Sequence, residues 1–106
     1  MTVVRILAEH NLYSLTAKGH AEYSTGGEDI VCAGISTILY ALAGYIANSR
    51  MESSIRMEPG DVEITCSGNA QQVFLMAYIG LAQLAEKFPK NISISARFPD
   101  AIQIET

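Results

Sequence analysis

The stretch GHAEYSTGGEDIVCAGIS, residues 19–36, holds the side chains best suited to covalent chemistry. His20 and Cys32 lie twelve positions apart in it, and Asp29 precedes the cysteine by three. A free thiol titrates at about 8.5 and is nucleophilic only as the thiolate; a helix N-terminus or a nearby imidazolium lowers that value. An imidazole within reach takes the thiol proton and later passes it to a leaving amine, the division of labour of a cysteine hydrolase. Apolar residues recurring at Ile30, Val31, Ile35, Ile38, Leu39, Leu42 and Ile46 predict a helix that begins at Asp29, a favoured N-cap residue. Cys32 then falls at N3, beside unpaired backbone N–H groups that can also hold an oxyanion. The run Ser24-Thr25-Gly26-Gly27 predicts a loose loop that lets strand end and helix start approach each other and closes over an extended substrate.

Two supporting positions each admit two readings. Asp29 caps the helix, or it also orients the imidazole; a carboxylate close to the sulfur would oppose its ionisation. Ser36, one turn beyond Cys32, donates to the sulfur or bonds back to the Cys32 carbonyl. On their own, one cysteine and one histidine at this spacing more often describe an inert buried thiol than a catalytic pair. Cys66 is the contrast, a structural thiol sharing an inward strand face with Val62 and Ile64, and His10 is a solvated turn residue. Two Cys and two His without a close ligand pair do not make a zinc site. No GxxxxGK[ST] or GxGxxG run offers a phosphate cradle, so neither metal nor cofactor is expected.

The elements that must position these residues follow from the patterning. Thr2–Glu9, a tight turn at His10-Asn11 and Leu12–Gly19 read as a β-hairpin. Met51–Gly60 reads as a connection holding at most a short strand, and Asp61–Ser67 alternates as a full one. Ser67-Gly68-Asn69 caps a second helix over 70–87, which Pro89 stops. Ile92, Ile94, Ala96 and Phe98 form a last strand, extended past Pro99 by Ile102 and Ile104. The order β-β-α-β-α-β predicts an α+β fold of two layers, with two helices packed on one mostly antiparallel sheet. At 106 residues the chain is expected to form one domain, 1–106.

Composition narrows the partners. Apolar residues make up 49% and charged residues 17%, enough for a core but thin polar cover, which favours a dimer through helix surface. A net charge of −4 lacks the basic face that nucleic acid requires. Two cysteines are too few for a disulfide scaffold, and MTVVRILAEH does not read as a signal peptide, so a cytoplasmic location is expected. Ile30–Ser49 carries no charge over 20 positions, the length of a membrane span. Ser36, Thr37, Asn48, Ser49, Gly34 and Gly44 dilute it, and no Lys/Arg cluster flanks it. A helix buried on most sides, with no membrane contact, is the expectation.

Gly19-His20-Ala21, a glycine-containing loop, and Asp29-Ile30-Val31-Cys32-Ala33-Gly34-Ile35-Ser36 resemble the ribosomal-processing cysteine protease family, Prp. The resemblance implies a cytosolic, homodimeric cysteine endopeptidase with Cys32 as nucleophile and His20 as general base. Asp29 and Ser36 match recurrent positions of the same motif. Family members remove a short N-terminal extension from a large-subunit ribosomal protein, cutting after an aromatic residue, and some cleave phage head proteins. The implied peptide substrate is such a ribosomal protein precursor. The alternatives are a phage-associated protease cutting capsid proteins and a non-catalytic dimeric adaptor of the same fold; a redox-sensing thiol would need no His20. Gly34 stands where the family usually has alanine, and should loosen the helix by up to about 1 kcal/mol.

Overall fold

A computed structural model describes residues 1–19 and 27–98. In chain order these form β1 (Thr2–Glu9), β2 (Leu12–Lys18), α1 (Gly27–Ala47), β3 (Glu52–Glu58), β4 (Asp61–Ser67), α2 (Gln71–Lys87) and β5 (Ile92–Arg97). The strands make one sheet ordered β3-β4-β2-β1-β5, antiparallel throughout except that β1 runs parallel to β5. Alternation decides which face is buried. Val4, Ile6 and Ala8 of β1 lie opposite Ala17, Leu15 and Tyr13 of β2, and all six are buried. Ile64 and Cys66 of β4 continue the same rows across Leu15 and Tyr13. Helices cover that face, with Phe74 of α2 stacked on Tyr13 at 5.3 Å between ring centroids. The two-layer α+β arrangement is the one expected. The turn is too: His10 and Asn11 take φ of 49° and 65°, the left-handed pair of a two-residue hairpin.

Three expectations about the bounds and order of the elements change. The order β-β-α-β-α-β lacks a strand, because residues 52–58 form the full edge strand β3 instead of a connection. Its inward positions Ser53, Ile55 and Met57 are at most half-buried, so the hydrophobic pattern that marks a strand is faint there. Helix α1 begins at Gly27, two residues before Asp29. The sequence Glu28-Asp29 carries two acidic residues, a composition that suits a first turn, where the helix dipole is positive. Helix α2 begins at Gln71 behind Ala70, with no side-chain cap, so Ser67-Gly68-Asn69 does not cap it. Gly68 instead takes φ 136° and donates its N–H to the Asn11 carbonyl at 2.8 Å, tying this connection to the β1–β2 turn.

Helix α1 is long and apolar enough to cross a membrane by length and composition, a test that core helices also pass. Val31, Ile35, Leu39, Leu42, Ala43 and Ile46 form its buried face. It is not buried on most sides, however: Ile30 is 65% exposed and Tyr45 56% exposed. One sheet and one neighbouring helix cover only one flank of it. The second helix meets it through small residues. A Cβ on Gly34 would lie 3.1 Å from a Leu84 methyl carbon, and one on Gly80 would lie 3.0 Å from the Ile38 Cδ1. Gly34 therefore does more than loosen α1, since it makes room for Leu84. The extension expected at Ile102 and Ile104 lies outside the described residues.

Candidate active site

Strand β2 ends at Lys18, and Gly19 follows with φ 91°, a conformation glycine adopts without strain. A Cβ at Gly19 would stand 2.5 Å from the Met1 carbonyl oxygen, so glycine alone fits. Its N–H donates to the Gly60 carbonyl at 3.0 Å, and its carbonyl accepts the Thr2 hydroxyl at 3.4 Å. Gly60 belongs to the two-residue turn Pro59-Gly60 between β3 and β4 and has φ 70°, in keeping with the Pro-Gly pairing that tight turns favour. Backbone bonds thus join the end of β2, the start of β1 and the β3–β4 turn.

Between these segments and α1 lies a cleft of about 380 Å³. One wall is the helix column Cys32, Ser36 and Tyr40, spaced four residues apart on one face, with Ile35 and Leu39 beside it. The opposite wall runs from Met57 through the Pro59-Gly60 turn to Val62, and Thr2, Ala17 and Gly19 close the end. Cys32 is half-buried, and Thr2, the cleft's buried hydroxyl, is 6% exposed. Cys66 is buried on the same inward face of β4 as Val62 but four residues further along, outside the cleft lining, and burial pushes its thiol above the ordinary value.

The helix start moves the expected nucleophile deeper into α1. With Gly27 as the first helical residue, Cys32 is the sixth rather than N3, and Asp29 is the third rather than the N-cap. The unpaired N–H groups belong to the first four residues, 27–30, and the dipole's influence fades beyond the first turn. Ser36 lines the cleft but, among the described residues, makes neither hydrogen bond weighed for it. Thr37 bonds back instead, donating to the Ala33 carbonyl at 2.7 Å. Gly27 lies in α1 and not in the loop. His20, Ser24, Thr25 and Gly26 lie outside the described residues, as does the Asp29 side chain. Gly19, the chain neighbour of His20, lines the cleft together with Cys32.

Sequence reasoning missed the second wall. Its charges form a network in which Lys18 and Arg56 both pair with the Asp61 carboxylate, while Arg56 also lies 3.7 Å from Glu58 and 3.8 Å from Glu63. Lys18 first, then Arg56, hold the Asp61 carboxyl below the usual carboxylate range. The signal was present as Glu58-Pro59-Gly60-Asp61, a turn sequence flanked by alternating residues. Among the described residues no group of three His, Cys, Asp or Glu side chains converges to hold a metal ion.

The described part of the site is thus a half-buried thiol on one wall of a cleft whose end is closed at Gly19. The family model for cysteine protease Prp matches residues 1–93. The chain belongs to the Prp family. It is accordingly a cysteine protease, and the Prp fold covers it nearly end to end. The essential ribosomal processing protease Prp from S. aureus, in complex with a covalently linked product peptide, superposes at TM-score 0.76 with 24% identity, covering 92% of this chain and 100% of that one. The same S. aureus Prp with a substrate peptide gives 0.73 and 23%, over 92% and 100%. SMU.848 from Streptococcus mutans gives 0.68 and 20%, over 93% and 96%. At these identities the likeness is one of fold. No curated protein matches the chain.

Proposed function

We propose that this chain is an endopeptidase that removes a short N-terminal extension from a large-subunit ribosomal protein precursor, with Cys32 as nucleophile and His20 as general base. The observation that carries this reading is the shared cleft, which Cys32 lines from α1 and Gly19, one residue before His20, lines from β2. The named relative from S. aureus is a ribosomal processing protease that binds substrate and product peptides, which supports the substrate class.

The chemistry balances with these two side chains and water. The imidazole of His20 takes the Cys32 proton, and the thiolate adds to the scissile carbonyl carbon. The tetrahedral oxyanion collapses to a thioester as the C–N bond breaks, and the imidazolium gives its proton to the departing amine. Water then enters; His20 takes one of its protons, the hydroxide adds to the thioester, and the acid product leaves as the thiol is restored. Because Cys32 sits beyond the first turn of α1, the helix end contributes less to the thiolate and the imidazole correspondingly more. An aromatic side chain before the scissile bond suits the apolar part of the cleft formed by Leu39, Met57 and Val62.

The reaction takes place in the cytosol and the enzyme works as a homodimer. The uncovered apolar surface of α1 and α2, where Met76 is 67% exposed beside Ile79, supports the second of these statements. Incubating the protein with the extended ribosomal protein precursor tests the reading. A single cut after an aromatic residue, lost in Cys32→Ala and in His20→Ala, is the expected result. An intact precursor would overturn the substrate, and cleavage that survives Cys32→Ala would overturn the mechanism.

A further inference from the structure

The charged cluster beside the cleft has no part in the chemistry above, and its placement assigns it one. We propose that Asp61 is a positioning residue of the protease cleft: by pairing with both Lys18 and Arg56 it holds the Pro59-Gly60 turn as a fixed wall facing Cys32. The inference rests on the protease reading and deepens it.

Four observations converge on Asp61. It is the first residue of β4, in register with Lys18 of β2 on one side and Glu58 of β3 on the other, immediately after the turn. Lys18 and Arg56 reach the two oxygens of its carboxylate, so one side chain links the three strands that meet at this end of the sheet. Lys18 directly precedes Gly19, whose N–H donates to Gly60; the ionic link and the backbone bond therefore join the same two segments. Finally, β3 is an edge strand, so no further strand supports the turn from outside.

Exposed ion pairs contribute little to stability, and these side chains are about 40% exposed or more in the case of Lys18 and Arg56. The effect of the cluster is therefore sought in geometry. A peptide in the cleft passes between the Cys32–Ser36–Tyr40 column and the turn, so the turn's position sets the width available to it. A wall free to move by even a fraction of an ångström loses binding energy that a fixed wall retains.

Steady-state cleavage of a peptide spanning the precursor's processing site tests the proposal on the full chain. Asp61→Asn should raise KM about fivefold with kcat within about twofold, and Lys18→Met should do the same. The double variant should be no worse than Asp61→Asn alone, since the link that Lys18→Met removes is one of the two that Asp61→Asn already removes. Asp61→Glu should recover most of the loss, and Glu52→Gln, at the far end of β3, should change nothing. A wild-type KM in both Asp61→Asn and Lys18→Met would overturn the proposal while leaving the protease reading intact, as would equal losses in Glu52→Gln. Should Asp61→Asn fail to fold, Lys18→Met and Asp61→Glu decide. A wild-type chain that cuts no peptide would end the protease reading and the proposal with it.

Discussion

Replacing Cys66 by alanine separates a structural thiol from a catalytic one, and the outcome can be worked out in advance. Cys66 is 5% exposed and lies opposite Tyr13 on the inward sheet face, where Tyr13 stacks on Phe74. Removing its sulfur leaves a small void in a packed core, which costs about 1 kcal/mol. For a chain of this size that lowers Tm by about 4–8 °C. The cost should itself depend on pH. Burial raises the Cys66 thiol above its ordinary 9.0 in the folded state, so above pH 9.0 the unfolded chain loses this proton first. The unfolded state then binds fewer protons, and stability falls as pH rises, by up to about 1.4 kcal/mol per pH unit. The wild-type advantage over Cys66→Ala should thus be full at pH 7 and shrink as pH rises above 9.0. Urea denaturation of both proteins at pH 7, 9 and 10 measures it. An advantage that stays constant across this range would refute the burial argument, and loss of peptide cleavage in Cys66→Ala at pH 7 would refute the structural role.

The fold makes further predictions at its glycines. Gly34→Ala gains up to about 1 kcal/mol in helix propensity but forces a half-buried Leu84 aside, so the two effects should nearly cancel; Gly34→Val, which cannot be absorbed by that shift, should cost about 1–3 kcal/mol in chemical denaturation. Gly19→Ala should cost about 1–3 kcal/mol through its left-handed backbone and its clash with the Met1 carbonyl, and cleavage should fall further than stability does, as paired denaturation and activity assays would show. Phe74→Ala should cost about 3–5 kcal/mol, since Phe74 is fully buried and supports Tyr13, and a calorimetric Tm near that of wild type would contradict the core described here.

Much of the sheet is legible in the sequence because period-two alternation is strong where one face is buried. Val4, Ile6 and Ala8, then Tyr13, Leu15 and Ala17, announce themselves in this way, and His10-Asn11 announces the turn between them. Strand β3 does not, because an edge strand buries only half of Ile55 and Met57 and exposes Ser53. The helix start was misplaced for a related reason: Gly26-Gly27 reads as a loop by entropy, whereas α1 packs its apolar face firmly enough to carry its first turn back to Gly27. Cys32 could be singled out from its local motif. The opposite wall of the cleft could not, since Pro59-Gly60 lies 27 residues beyond Cys32 and only the sheet order brings the two together.

The account depends most on the pairing of Cys32 with His20, and alkylation reads that pairing directly. Iodoacetamide at pH 6, followed by mass spectrometry of the labelled peptides, should modify Cys32 far faster than Cys66 in the wild-type chain, and His20→Ala should slow Cys32 labelling at least about tenfold while leaving Cys66 unchanged. Equal labelling of the two cysteines, or a Cys32 rate indifferent to His20→Ala, would contradict it.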